Sequence, residues 1–367
     1  PDSLALTGRL GALPTVAYAP RELPLFRFLE RPRIHVPEVE LTADFTLSPD
    51  TDPYLLDHVF HGERVFPGVL GLEAMAQAVQ GLTGKAPAAF RSVRFHRPLV
   101  VGDALEARVS VVQRDATTCF AVLRAASTGF GVDHFEAVIS LEPEASEPRA
   151  ASPSAVSAPA LEQADALYEG FFFHSGRFRR IGVYQALEAT SCTAAFAGNG
   201  SGSWFARYLP SDFVLGDPSR RDAAIHGVQA CIPHARLLPV SVARIARVQD
   251  GVIAGVTARE RGRRGDRFTY DLELHDAAGH AVEVWEGLEL KVLEPMAPAP
   301  SWPLPLLGPY IQRRVEELTA CRGLRVAVEP GEARESRRHR VLARLLGPDP
   351  VEVRRPDGKP EFAGSEV

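Results

Sequence analysis

Lysine is almost missing from this chain. Of 41 basic residues in 367, only Lys85, Lys291 and Lys359 are lysine and the rest are arginine. Beside so much alanine this points to a GC-rich coding sequence and carries no functional weight. Positive charge is outnumbered by 46 Asp and Glu, giving a net charge of −5, which excludes a nucleic-acid footprint as the main function. The four cysteines (Cys119, Cys192, Cys231, Cys321) are far apart and form no CxxC pair. That excludes a disulfide framework and a thiolate zinc site, and it points to a reducing, cytoplasmic compartment. No stretch reaches the ~18 apolar residues of a membrane helix, and no charged-then-apolar leader pattern opens the chain.

What is present reads as globular. The chain is 45% hydrophobic, 24% charged and 8% aromatic, which excludes a disordered or collagenous chain. Its length suits two to three domains, and thirty Gly with thirty Pro predict linkers between them. A start at Pro1 and a stop at Val367 inside a patterned stretch suggest a piece of a longer polypeptide.

Residues 1–35 are Pro-punctuated and read as a leading linker. Residues 36–142 carry a strand pattern from about Glu38, a turn-rich stretch, a helix of small and apolar residues from Val69 to Val79, and three alternating strands at 105–113, 119–127 and 134–142. Residues 143–160 are Pro, Ala, Ser and Glu without periodicity, a flexible linker. Residues 161–295 repeat the plan: one long strand over 183–196, a helix over 221–232, and strands at 239–248, 252–260, 267–275 and 281–293. Strand, helix and meander occurring twice imply an internal duplication of an antiparallel sheet wrapped on a helix. Residues 296–367 read as a linker, then helix, strand (LRVAVE), helix and a hairpin with an Asp-Gly turn, the start of a further α/β segment.

The first helix is apolar on nearly every side, as a buried helix is. Glu73 and Gln77 interrupt it on one face. A buried carboxylate costs several kcal/mol unless it is paired, hydrogen-bonded or protonated, so Glu73 is either a structural acceptor for a loop amide or a working acid. His58 precedes the helix in HVFHGERVFP; alone, a histidine on an apolar segment is a packed core residue. Asp222 and His226 share a face of the second helix at i,i+4, and a bland reading makes Asp222 a partner of the helix dipole.

The string HxxxGxxxxP (His58, Gly62, Pro67), followed by PGVLGLEAMAQA, resembles polyketide-synthase dehydratase domains and the central helix of fatty-acid 3-hydroxyacyl-carrier-protein dehydratases. DAAIH, with Gln229 one turn on, resembles the family's second motif. The resemblance covers roughly residues 36–295. It implies an α+β double hot dog, two antiparallel sheets each wrapped around a central helix, with a small truncated α/β segment behind it. It implies His58 as base and Asp222 as acid, a raised carboxyl pKa on Asp222, His226 or Gln229 orienting that carboxyl, and the amides of Gly68 and Val69 as an oxyanion site. The substrate would ride on the phosphopantetheine arm of an acyl carrier protein domain of the same synthase, with no metal or redox cofactor, in a homodimeric parent. Glu73 and His174 are the candidates for a second, mirrored site. FHSGRFRR and LGDPSRRDAAIHGVQACIPH resemble the dehydratase of iterative enediyne (polyene, antibiotic-producing) synthases, and RRPDGKPEF resembles the stretch ahead of the first motif of phosphopantetheinyl transferases. The Arg clusters at 177–180 and 261–267 read as solvated faces or as contacts for an acidic carrier. Three other readings stand beside a dehydratase: a product-template domain, a non-catalytic carrier-docking scaffold and an acyl thioesterase.

Overall fold

In the computed structural model the described residues are 22–143, 160–198, 202–319, 323–329, 333–347, 350–358 and 360–362. The 143–160 linker expected from composition falls almost wholly outside them, as do residues 1–21 and Cys321. The first half contains β1 (Arg31–Val36), β2 (Glu40–Leu47), the short pair β3 (Val59–Phe60) and β4 (Glu63–Arg64), α1 (Gly68–Thr83), β5 (Ala89–Phe95), β6 (Leu105–Gln113), β7 (Thr118–Ala125) and β8 (Phe135–Ser140). The second half contains β9 (Ile181–Leu187), β10 (Ser191–Phe196), α2 (Pro218–Gly227), β11 (Ala235–Arg247), β12 (Gly255–Arg264), β13 (Arg267–His275) and β14 (Ala281–Pro295). Behind them come α3 (Leu307–Leu318), α4 (Arg334–Leu346) and the hairpin β15 (Glu352–Arg354) and β16 (Pro360–Phe362).

Alternation drives the sheet. Leu105, Ala107, Val109 and Val111 of β6 all point inward, since successive strand residues face opposite sides, and they meet α1, which also packs on β2, β7 and β8. Every side of α1 is covered by sheet, loop or the second half, which is why its sequence is apolar all round. α2 takes the same place in the other half against β10 and β12, and the two helices touch. The two expected sheets are halves of one twelve-stranded antiparallel sheet, ordered β1-β2-β6-β7-β8-β5-β11-β14-β13-β12-β10-β9. The joint is β5 against β11, with Phe90 opposite Ile245 and Arg94 opposite Ser241. The sequence reading passed over β5, whose outward Arg91, Ser92 and Arg94 break a clean alternation.

Five expectations are corrected. The leading linker does not run to residue 35: Phe28 and Leu29 are buried and β1 pairs with β2. The single strand over 183–196 is a hairpin, because the chain reverses at 188–190 where the Glu188 N–H donates to the Ser191 carbonyl at 2.8 Å. α2 starts three residues early, as Asp217 caps it by accepting from the Ser219 N–H and Pro218 fills its first turn; it ends in a 3-10 turn at Val228–Cys231. The boundary at 295/296 is no break in packing. Arg313 of α3 is buried in the second half, paired with Glu260 and donating to the Tyr270 hydroxyl and to the Ala189 and Cys231 carbonyls. LRVAVE forms no strand; its Val326 carbonyl lies against Gly308 of α3.

α1 needs a glycine where it meets the sheet. A Cβ on Gly71 would sit inside the ring of Phe135, in an interior with no room to give. Gly71→Ala should therefore destabilise the protein by about 1–3 kcal/mol. Chemical denaturation checks this, and an unchanged midpoint would mean that β8 shifts freely away from α1.

Candidate active site

His58 is placed by the short hairpin that follows it. His61 and Gly62 join β3 to β4 with φ of 48° and 82°, the two-residue turn whose twist matches antiparallel strands. Nothing crowds Gly62, so the position is needed for its backbone and not for space. The hairpin brings Val65 back to His58. The Val65 N–H donates to the His58 carbonyl at 3.1 Å, and the Val65 carbonyl lies 2.7 Å from His58 Nδ1. A carbonyl only accepts, so Nδ1 bears the ring proton and Nε2 is left as a bare lone pair. Pro67 then caps α1, and the Gly68 and Val69 amides at its N-terminus donate to nothing among the described residues.

The second half is sewn onto this spot. The Ser175 N–H donates to the Asp57 carbonyl at 2.9 Å, the Arg177 guanidinium pairs with the Asp57 carboxylate, and His58 and His174 form an isolated antiparallel bridge. His174 is thus no part of a mirrored second site. It lies in the same site as His58, stacked between Phe173 and His226 with ring centroids 3.9 and 4.0 Å away.

Asp222 sits among three imidazoles. His174 Nε2 is 3.1 Å and His226 Nδ1 is 3.0 Å from Oδ2, while Oδ1 faces His58 Nε2 at 4.0 Å. All four side chains are buried. Tyr168, which nothing in the sequence singled out, fixes the arrangement. Its hydroxyl oxygen accepts from the Arg180 and Ile181 amides at 2.9 and 3.0 Å, and of the two acceptors in reach its proton goes to His226 Nε2 at 2.9 Å rather than to the Phe178 carbonyl at 3.4 Å. That leaves His226 its proton on Nδ1, donated to Asp222.

The electrostatics differ from the expected raised acid. Burial alone would push the Asp222 carboxyl up, but the two imidazole donors at Oδ2 hold it below the usual carboxylate range. Burial pushes His58 down from 6.5, opposed by Asp222, and pushes His174 down to about 3, with His226 adding to the shift. Both rings are therefore neutral near pH 7. His174 Nδ1 is buried with no hydrogen-bond partner.

Other expected site residues have structural work. Glu73 accepts from the Val214 and Leu215 amides at 2.7 and 2.9 Å and from Gln77 at 2.9 Å, tying α1 to the loop that leads into α2. Gln229 does not touch Asp222; its amide holds the Ile232 and Ala235 carbonyls and the Leu237 N–H, turning the chain into β11. Arg179 pairs with Asp165 and Glu169, and Arg180 with Ser219, Asp217 and the Gly198 carbonyl, so this cluster is spent inside the chain. Among the described residues, His58, His174 and Asp222 form a set that could hold a metal ion, with ligand atoms all within 4.8 Å of one another.

Glu73 also sets a pH signature. Burial raises its pKa from 4.5 to about 7 against its three donors. The folded state then holds this proton more tightly than the unfolded chain, so the group's stabilisation is complete below pH 4.5 and is lost as pH rises towards 7. The stability of the wild type relative to Glu73→Gln should fall across that window and level off above it. Thermal denaturation at stepped pH measures this, and a constant difference would mean that the carboxyl titrates at its ordinary value.

A family profile described as polyketide synthase dehydratase domain matches residues 33–124, and one described as polyketide synthase dehydratase N-terminal domain matches residues 142–300. The dehydratase domain of a mycocerosic acid synthase-like polyketide synthase superposes with a TM-score of 0.59 at 23% identity, covering 75% of this chain and 99% of that one. The dehydratase domain of PpsC from Mycobacterium tuberculosis, in complex with C12:1-CoA, gives 0.59 at 19% identity, covering 74% and 100%. At those identities the likeness is one of fold, the double hot dog. The 3-hydroxyacyl-(acyl-carrier-protein) dehydratase FabZ of Anaeromyxobacter sp. (strain Fw109-5) is 36% identical over 104 residues, which is 25% of this chain and 65% of that relative's length. With one profile on each half, and His58 and Asp222 of those two halves meeting in one buried site, the chain belongs to the polyketide synthase dehydratases.

Proposed function

We propose that this domain eliminates water from 3-hydroxyacyl thioesters carried on the phosphopantetheine arm of an acyl carrier protein of its own dimeric, iterative synthase, leaving 2-enoyl chains. The observation that carries the reading is the opposition of His58 Nε2, its lone pair freed by the Val65 carbonyl, to Asp222 Oδ1 at 4.0 Å in a buried site.

His58 takes the α-proton, a task that suits a neutral imidazole. The electron pair moves into the thioester, whose oxygen gains charge; the unspent Gly68 and Val69 amides at the N-terminus of α1 are the donors for it. The β-hydroxyl leaves as water, and the double bond forms between the α- and β-carbons. No net proton is consumed, since the one removed from carbon is the one the hydroxyl needs. Both imidazole donors bind Oδ2 of Asp222, so Oδ1 is free to relay that proton between His58 and the hydroxyl. The reaction so drawn uses no metal or redox cofactor.

The thioesterase reading loses its water-activating carboxylate, because both oxygens of Glu73 accept from loop amides. A docking scaffold would not need the relay, and the intact HxxxGxxxxP favours dehydration over a product-template role. The enediyne-like strings favour a polyene product, and the rings of Phe173 and Phe178, 5.1 and 5.2 Å from that of His58, offer flat apolar walls to a conjugated chain. The hairpin of β15 and β16 supports a phosphopantetheinyl transferase-like start behind the dehydratase.

Mass spectrometry of a carrier-bound 3-hydroxyacyl substrate tests the reading. The parent chain should remove one water, and His58→Ala and Asp222→Asn should each slow this by about a hundredfold or more. Release of free acid would replace the proposal with a thioesterase, and full activity in either variant would remove the relay.

A further inference from the structure

We infer that this site is also a binding site for a divalent ion of the zinc class, held by His58, His174 and Asp222, and that such an ion shuts the elimination off. The inference rests on the reading of His58 and Asp222 given above, because the lone pair that takes the α-proton is the one the metal would use.

The donor set suits such an ion. Two neutral imidazoles and one carboxylate match the preferences of zinc, cobalt and nickel, whereas magnesium and calcium take oxygen ligands. Metal–nitrogen bonds of about 2.0–2.1 Å in a tetrahedral site put ligand atoms roughly 3.3 Å apart. His174 Nε2 and Asp222 Oδ2 are 3.1 Å apart, His58 Nε2 and Asp222 Oδ1 are 4.0 Å apart, and all the ligand atoms lie within 4.8 Å. Small side-chain rotations close the remainder, and a fourth position is left for water or a substrate oxygen.

Two of the three ligands also have the supporting contacts of a metal site. A metal-bound imidazole ordinarily donates its other N–H to a carbonyl or carboxylate, and a ligating carboxylate is itself hydrogen-bonded. His58 donates Nδ1–H to the Val65 carbonyl, and Asp222 accepts Nδ1–H from His226, whose tautomer Tyr168 fixes. His174 lacks such a partner. Its Nε2 proton must leave before that nitrogen can bind metal, and a proton moved to Nδ1 would be a buried N–H without an acceptor, so His174 is the weakest of the three ligands.

Cobalt(II) reads the site without reference to activity. Titrated into the full metal-free chain, it should give the intense visible bands of a four-coordinate nitrogen and oxygen site, and zinc should bleach them. His174→Phe keeps an aromatic ring in the stack and should weaken cobalt binding at least about a hundredfold; Asp222→Asn should do the same, and circular dichroism checks that both fold. Absence of the bands, bands that persist in both variants, or thiolate charge-transfer absorption from the cysteines would overturn the site. Zinc should abolish dehydration by the parent chain and a chelator should restore it; undiminished turnover with metal bound would overturn the inhibition. A metal-free chain that binds cobalt yet never dehydrates a 3-hydroxyacyl substrate sinks the reaction and not the metal site, and one that dehydrates but gives no spectrum does the reverse.

Discussion

Everything at this centre depends on one seam, where the loop before β9 lies down on the loop before β3. Asp57 is the stitch. Its carbonyl accepts the Ser175 amide and its carboxylate takes the Arg177 guanidinium. A partly buried ion pair of this kind loses less to water than a surface pair does. It sets His174, with its partner Asp222, beside His58. The β5–β11 joint does the same at the level of the sheet, converting two hot dogs into one surface and bringing α1 against α2. Without these two joints His58 would keep only the Val65 carbonyl and Asp222 only His174 and His226, and the two would not face each other.

The carboxylate illustrates how a buried charge is kept. Asp222 is removed from water, which by itself favours the neutral acid. Two imidazole N–H groups at one oxygen reverse that preference, and a tyrosine held by two backbone amides fixes the orientation of one of them. The outcome is an asymmetric group, with one oxygen spent on structure and the other facing His58. Glu73 on α1 shows the alternative fate. Its oxygens both accept from the loop that delivers α2, so α1 positions the helix that carries Asp222.

The class of the fold, and the motifs that hold His58 and Asp222, are legible in the sequence. Period-2 patterns located β6, β7, β8 and β13 to within a residue or two, because those strands have one buried face and one open one. An all-apolar helix could only be central, and HxxxGxxxxP is legible because its glycine and proline set a turn and a helix start locally. The hairpin inside 183–196, the docking of α3 through Arg313 and the strand β5 were not legible, since each is decided by a partner far along the chain. The same holds for the site. Only tertiary structure could decide that His174 joins His58 and leaves no second centre, that Tyr168 fixes His226, and that Asp222 is held ionised where the motif alone suggested a raised acid. A side chain's proton affinity and partners are properties of what surrounds it in space, and the neighbours of Asp222 come from distant segments, around His58 and His174, as well as from its own helix.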